Sequence, residues 1–242
     1  MESIAHIALS RQTALNRQMS AISNNLANVN TTAYRREGLM FEEVLRDTQD
    51  GETGNLSFVQ DVSSFYNTES GALKSTGNPL DMGIQGDGYF TVETGDGPRY
   101  TRDGSFMIDG ENQLVTKQGR LVLDGQGNPI DIPEAATTIE VARDGTISTE
   151  NGELATLDIV TFENPQALMK RADNLYDPED MAPQPSEEAV VHQGMLEDSN
   201  VQAITEMTEM MDVVRSYQST KKMMDNDHDR QLRAIRSLVS SK

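Results

Sequence analysis

From about residue 70 onward the chain is punctuated by tight-turn pairs every eight to twelve residues, and that rhythm restricts its middle to antiparallel β structure. Gly86-Asp87-Gly88, Gly95-Asp96-Gly97, Asp103-Gly104, Asp109-Gly110, Asp144-Gly145 and Asn151-Gly152 separate short apolar-rich runs at 80–84, 89–93, 99–102, 105–108, 146–149 and 154–162. Asp-Gly and Asn-Gly pairs supply the positive φ that two-residue hairpin turns require. Further short runs at 114–116, 121–123, 130–132 and 138–142 continue the series. Residues 164–180 read as a loop with a helical turn near 166–171, and Pro178, Pro183 and Pro185 keep the next segment extended. Residues 190–193 read as a last strand that carries the chain back towards its point of entry.

Both ends obey a different period. Ile4, Ala8, Leu15, Met19, Ile22, Leu26 and Val29 recur at helical spacing, as one apolar helix face requires. The polar side is unusual, because no charge occurs between Arg17 and Arg35. Asn24, Asn25 and Asn28 crowd the end of this pattern, although Asn is a poor helix former. Two readings fit: a fraying helix end with its turn, or a neutral amide face meant for neighbouring helices. At the other end Ser199-Asn200-Val201-Gln202 fits a capping box, followed by Ile204, Met207, Met211 and Val214, with Tyr217 beside them. That seam weakens through Lys221 and Asp225 and resumes at Leu232, Ile235 and Val239. Helices of these lengths would span roughly 40 and 60 Å and could share a seam at coiled-coil spacing.

The expected class is therefore α+β: an antiparallel all-β central domain inserted between long N- and C-terminal α-helices that pair as a coiled-coil-like assembly domain. The boundaries read as residues 1–34 for the first helix and its Asn-rich end, 35–69 for a connector, 70–195 for the β domain and 196–242 for the second helix. Within the connector, residues 39–45 read as a brief helical turn before irregular or extended chain, and Phe58, Val59, Val62, Phe65 and Tyr66 suggest that it lies against something.

Charge and composition narrow the partners. The net charge of −19 is concentrated at 41–196, which carries −20, while residues 1–40 carry +2 and 197–242 carry −1. An acidic middle argues against nucleic acid or anionic lipid, and the near-neutral ends can pack side by side. Hydrophobic content of 36%, aromatic content of 5% and the absence of Trp suit a chain that buries surface against partners. With no Cys, neither disulfides nor thiolate metal sites are available. No apolar run is long enough to insert in a membrane, and no cleavable signal pattern opens the chain.

Enzyme readings fare poorly, and no catalytic, metal or cofactor site is expected. His6, His192 and His228 are far apart and lack metal-binding spacing. The run from Asp225 to Asp229 begins like a calcium loop, but Arg230 replaces the needed Gly and Arg236 the bidentate Glu. Gly86-Asp87-Gly88 does not extend to a dinucleotide fingerprint, since Thr91 takes the last Gly position. Met207, Met210, Met211, Met223 and Met224 form a stripe with two readings, ordinary core packing or an adaptable face that meets slightly different neighbours. A glycan-binding β module with helical appendages stays open as an alternative, though few aromatics exist to stack a sugar.

Three separated motifs, Asn24 to Asn28 with Thr31 to Tyr34, Thr76 to Asp81 with Tyr100 to Phe106, and Gly194 to Val201 with Arg215-Ser216-Tyr217, resemble those of the axial proteins of the bacterial flagellum, rod and hook. Ile7 to Gln12, Ser57 to Asp61 and Arg233-Ala234-Ile235 are most similar to the proximal-rod members, with distal-rod or hook-type subunits as the alternative. Ala33 stands where relatives often have Gly, so the turn into Tyr34 is expected to manage without positive φ. The resemblance implies a structural subunit of the basal body that spans the periplasm, is exported by the flagellar type III apparatus without a cleavable signal, and packs with itself and other rod subunits. It further implies that Ile4, Ala8, Leu15, Met19, Ile22, Asn24, Asn25, Leu26, Asn28, Ile204, Met207, Met211, Val214 and Tyr217 form the assembly interface.

Overall fold

A computed structural model describes residues 2–46, 56–134, 136–179, 181–186 and 188–240. Two helices flank an antiparallel β region, and the chain divides into two compact units. One comprises Met1–Asn28, Glu37–Tyr66 and Val201–Lys242, and the other Val29–Arg36 with Asn67–Asn200.

The second unit contains the apolar core. Its central sheet has six antiparallel strands in the order Met169–Lys170, Leu175–Asp177, Gly97–Thr101, Tyr89–Thr94, Ile159–Thr161, Gln184–Pro185. Alternation sends successive side chains to opposite faces. Phe90, Ile159 and Leu175 therefore join one cluster with Met82, Phe106 and Leu114, while Tyr89, Val160 and Tyr176 join a second with Tyr100 and Phe162. Phe90 meets Phe106 edge-on at 5.1 Å, and Tyr100 meets Phe162 at 4.9 Å. Covering both faces of the sheet lets a β region with few aromatics bury all of them. A three-stranded sheet of Ile139–Val141, Thr146–Thr149 and Gly152–Thr156 lies beside this core, and Val190–Gln193 pairs with Met82–Gln85.

Several local expectations change. Asp96-Gly97, Asp144-Gly145 and Asn151-Gly152 do place Gly at positive φ, but Gly104 and Gly110 do not. Gly104 is needed for close approach: a Cβ there would overlap the Met82 carbonyl, whose amide donates to the Gly104 carbonyl at 3.0 Å. Residues 164–180 are less loop than expected. A short 3-10 turn at Pro165–Ala167 leads into two paired strands on the edge of the main sheet.

The first unit holds α1 (Glu2–Ala27), α2 (Ala203–Ser240) and two long strands, β1 (Glu37–Arg46) and β2 (Leu56–Tyr66). At 39–45 the helical turn read from the sequence is part of β1. Strands β1 and β2 pair antiparallel from Glu37↔Tyr66 to Arg46↔Leu56, with a register shift between Met40 and Phe41. An apolar-acidic run fits either period, and a partner strand rich in β-branched and aromatic residues decides between them. Phe65 lies over Gly38 opposite it, covering the backbone that glycine exposes. The side chains of Phe58, Val59 and Val62 lie outside the described residues.

Helices α1 and α2 pack together and run antiparallel, with Gln12 donating to the Tyr217 hydroxyl at 2.8 Å and Asn25 bonded to Glu206 at 3.2 Å. The capping box falls short of the helix, because α2 begins at Ala203, and the Gln202 carbonyl accepts the Glu206 amide at 3.0 Å.

Candidate functional site

The second unit holds residues 29–36 as a strap against its β framework, and a buried charge cluster anchors it. Arg35, Arg102 and Glu197 are each at most 4% exposed. Glu197 Oε1 accepts from Arg35 Nη2 at 2.9 Å and from the Gly71 amide at 2.8 Å, while its Oε2 accepts from Arg102 Nε at 2.9 Å. The remaining Arg102 donors reach the Gly86 carbonyl (2.8 Å), the Gly88 carbonyl (2.5 Å), Ser70 Oγ (3.1 Å) and the Ile84 carbonyl (3.3 Å). Its five N–H groups are thereby all used, which is what makes a buried guanidinium tolerable. Arg35 is less complete. Nη1 donates to the Glu69 carbonyl, but its buried Nε has no partner among the described residues. The Tyr89 ring lies under Arg102 at 5.8 Å, and burial raises the pKa of its hydroxyl while Arg35 and Arg102 pull it down.

The strap backbone is tied residue by residue. The Thr32 carbonyl accepts from Asn174 Nδ2 (3.0 Å), and the Ala33 amide donates to the Glu197 carbonyl (2.8 Å). The Tyr34 carbonyl accepts from the Asn200 amide (3.2 Å), and the Arg36 amide donates to Asn200 Oδ1 (2.7 Å). Lys170 Nζ stands over the Tyr34 ring, 3.6 Å from its centre. Ala33 has φ of 55°, so the turn does take positive φ, contrary to the expectation from Ala at this position. Ala33 is 1% exposed, and the bonds on either side hold it in a conformation that is costly for a residue with a Cβ.

In the first unit a smaller polar knot joins a helix to a strand. Asn25, 1% exposed, accepts the Glu37 amide on Oδ1 (2.9 Å) and donates from Nδ2 to the Glu37 carbonyl (2.9 Å) and to Glu206 Oε2 (3.2 Å). Its amide plays the part of a backbone neighbour to β1. Asn24 is exposed, and Asn28, half-buried, turns its Nδ2 back to the Asn24 carbonyl at 2.8 Å.

Of the apolar residues singled out in the sequence, Ala8 and Ile22 are buried on α1, and Leu15, Met19 and Leu26 are half-buried. The side chains of Ile4, Ile235 and Val239 lie outside the described residues. Among the described side chains of α2 the buried positions are Glu206, Val213 and Thr220, seven residues apart, with Met210 and Tyr217 half-buried between them and Met224 half-buried one turn beyond. Val214 is half-buried too. Ile204, Met207 and Met211 are exposed on another stripe, at 83%, 49% and 53%.

Three stretches match known family models. Residues 6–35 match the flagella basal body rod protein model, 83–149 the flagellar hook protein FlgE/F/G D1 domain, and 192–237 the flagellar basal body rod FlgEFG protein C-terminal model. Over the whole chain, the flagellar basal-body rod protein FlgF of Caulobacter vibrioides is 37% identical across 98% of both sequences. FlgF of Rhizobium meliloti is 33% identical across 100% of both. The chain belongs to the flagellar basal-body rod protein family. FlgG of Bacillus subtilis is also similar, at 34% identity over 86% of this chain and 88% of its own length. Each matched rod-protein stretch supplies one member of the charge cluster: Arg35, Arg102 and Glu197.

Sequence reasoning passed over that cluster and Glu206 as well. A signal for Arg35 was present, since Arg35-Arg36 are the first charges after a long neutral stretch. Nothing in the local sequence around Arg102 or Glu197 marks them as partners.

Proposed function

We propose that this rod-family chain is a non-enzymatic structural subunit of the proximal rod, which self-associates in a helical array around the export channel. In that array it links motor to hook and transmits torque. The observation that carries the reading is the exposed stripe of Ile204, Met207 and Met211 on a helix that already has an intramolecular partner along a different stripe. Solvent-facing Ile and Met at three- and four-residue steps make a helix-wide apolar face suited to a neighbouring helix. The coiled-coil seam would then be intermolecular, with Asn24 adding a neutral hydrogen-bonding contact beside it. Passage through the flagellar type III apparatus and residence across the periplasm go with this role. Other rod subunits would be its neighbours.

The glycan-binding alternative loses its chemical basis in the β unit. The seven aromatic rings of that unit, from Tyr34 to Tyr176, are all less than a tenth exposed. None is presented as a platform on which a sugar could stack.

The test replaces the native chain in its bacterium with an Ile204→Ser/Met207→Ser/Met211→Ser version. Basal bodies are then isolated and assayed for the protein, and swimming is scored. A soluble, folded variant that is absent from basal bodies, with motility lost, is the expected result. Normal incorporation and swimming would overturn the reading.

A further inference from the structure

We infer that the β unit carries a built peptide-binding site whose ligand is the chain's own residues 29–36, with Arg35 as the anchor, and that this docking is independent of the helices. Three observations support this. The first is a division of labour within the cluster. Arg102 is saturated by the β framework alone, through Glu197, Gly86, Gly88, Ile84 and Ser70, so Arg102 and Glu197 already form a balanced buried pair without the strap. Arg35 adds a second cation to one carboxylate and keeps an unpartnered Nε, so it makes no contribution that the β core requires.

The second is the form of the remaining contacts. From Thr32 to Arg36 they are mostly main-chain bonds to fixed acceptors and donors, namely Asn174, the Glu197 carbonyl, Asn200 and, through the Arg36 carbonyl, the Asn67 amide at 2.9 Å. A side-chain anchor in a pocket with backbone bonds alongside is how extended peptides are held on β frameworks. Asn200 is itself set to receive the strap, since its Nδ2 donates to the Asn67 and Glu69 carbonyls at 3.1 and 2.9 Å, leaving Oδ1 for the Arg36 amide. The third observation is that the Tyr34 side chain is also held, buried at 6% exposure with the Lys170 ammonium above its ring.

The site accepts an aromatic residue followed by arginine, entered through a turn with a left-handed residue at Ala33. In this chain the segment is supplied in cis, so its effective concentration is high and a modest intrinsic affinity suffices. The strap then stays docked on the β core when the helices open, although it adjoins a helix in sequence.

The experiment is native-state hydrogen exchange on the full chain at low protein concentration, with increasing sub-denaturing urea. The Ala33 and Arg36 amides are followed against Val122 in the β core and Ile22 in α1. Strap amides that stay protected at urea concentrations where Ile22 has already lost protection, up to the concentration at which Val122 is lost or somewhat below it, are the expected result. In an Arg35→Met chain, exchange at Ala33 and Arg36 should rise about 10- to 100-fold while Val122 keeps its protection, because the anchor is lost and the balanced pair remains. Arg35→Lys should recover part of that protection, as a cation without the bidentate fork. Strap amides that exchange together with Ile22 in the native chain, or protection unchanged in Arg35→Met, would overturn the inference. So would loss of Val122 protection in Arg35→Met, since Arg35 would then be part of the core and no ligand of it.

Discussion

The two units settle their buried polar groups in opposite ways. The β unit buries full charges, Arg35, Arg102 and Glu197, beside an extensive apolar core. The helix-and-hairpin unit buries a neutral amide, Asn25, against one carboxylate, and leaves Ile204, Met207, Met211 and Met223 in solvent. Each choice reflects where the unit obtains its environment. A buried ionic pair such as Arg102 and Glu197 is tolerable when its hydrogen-bonding groups are met within the unit, as those of Arg102 are here. Amide chemistry and exposed methionines would suit the proposed array, whose neighbours arrive later and differ slightly in position.

Four changes put that contrast to the test. The largest effect belongs to Glu197→Gln, which leaves two buried guanidiniums facing a neutral amide. Breaking a buried ionic group of this kind costs about 3–5 kcal/mol, and urea denaturation followed by tyrosine fluorescence should show the β unit losing that much. Asn25→Ala comes next. It orphans both backbone groups of Glu37 and removes a partner of Glu206, at about 2–3 kcal/mol. The loss should be confined to the first unit, read as faster exchange in α1 and β1 with the β-unit amides unchanged.

Met207→Ser/Met211→Ser ranks third for the single chain. Exposed positions away from caps and networks change stability by only about 0.5 kcal/mol, so thermal unfolding should barely move while self-association at high concentration, measured by sedimentation, falls. The smallest effect is expected on acidification. The Glu150 carboxylate accepts the Thr137 and Thr138 amides at 2.6 and 3.2 Å, which holds its pKa at about 2, below the ordinary value of 4.5. A depressed folded pKa contributes stability above pH 4.5 and loses it as pH falls through about 2. Amide protection at Thr137 and Thr138 should therefore fade over that window, and Glu150→Gln should flatten the dependence.

How much of this was legible in the sequence depended on the range of each interaction. The turn pairs announced hairpins at Gly97, Gly145 and Gly152 because a hairpin turn is a local matter of φ, and the sequence holds all its terms. Asp103-Gly104 carried the same letters for another reason, the close approach of Met82, which lies far away in sequence. Residues 39–45 misled because their pattern fits two periods, and only pairing with β2 selects one. The stripe that α2 turns to α1 was hidden because it includes Glu206 and Thr220, polar residues that an apolar pattern discards. The positive φ of Ala33 showed only in the Gly that relatives often carry there, and alanine itself gave no sign of it. It is imposed by hydrogen bonds to residues far along the chain, against the preference of alanine itself.

Two bonds to the strap reach further than the strap itself. Because the Asn67 amide rests on the Arg36 carbonyl and the Asn200 amide on the Tyr34 carbonyl, the main β segment begins and ends against the same strap. A segment closed on itself in this way is an interchangeable cassette. Strands can be lengthened, loops inserted or the outer sheet replaced between Asn67 and Asn200, and the spacing of the two ends stays the same. Evolution can therefore vary the size and charge of such a β body, here strongly acidic, without renegotiating the positions from which the chain ends depart.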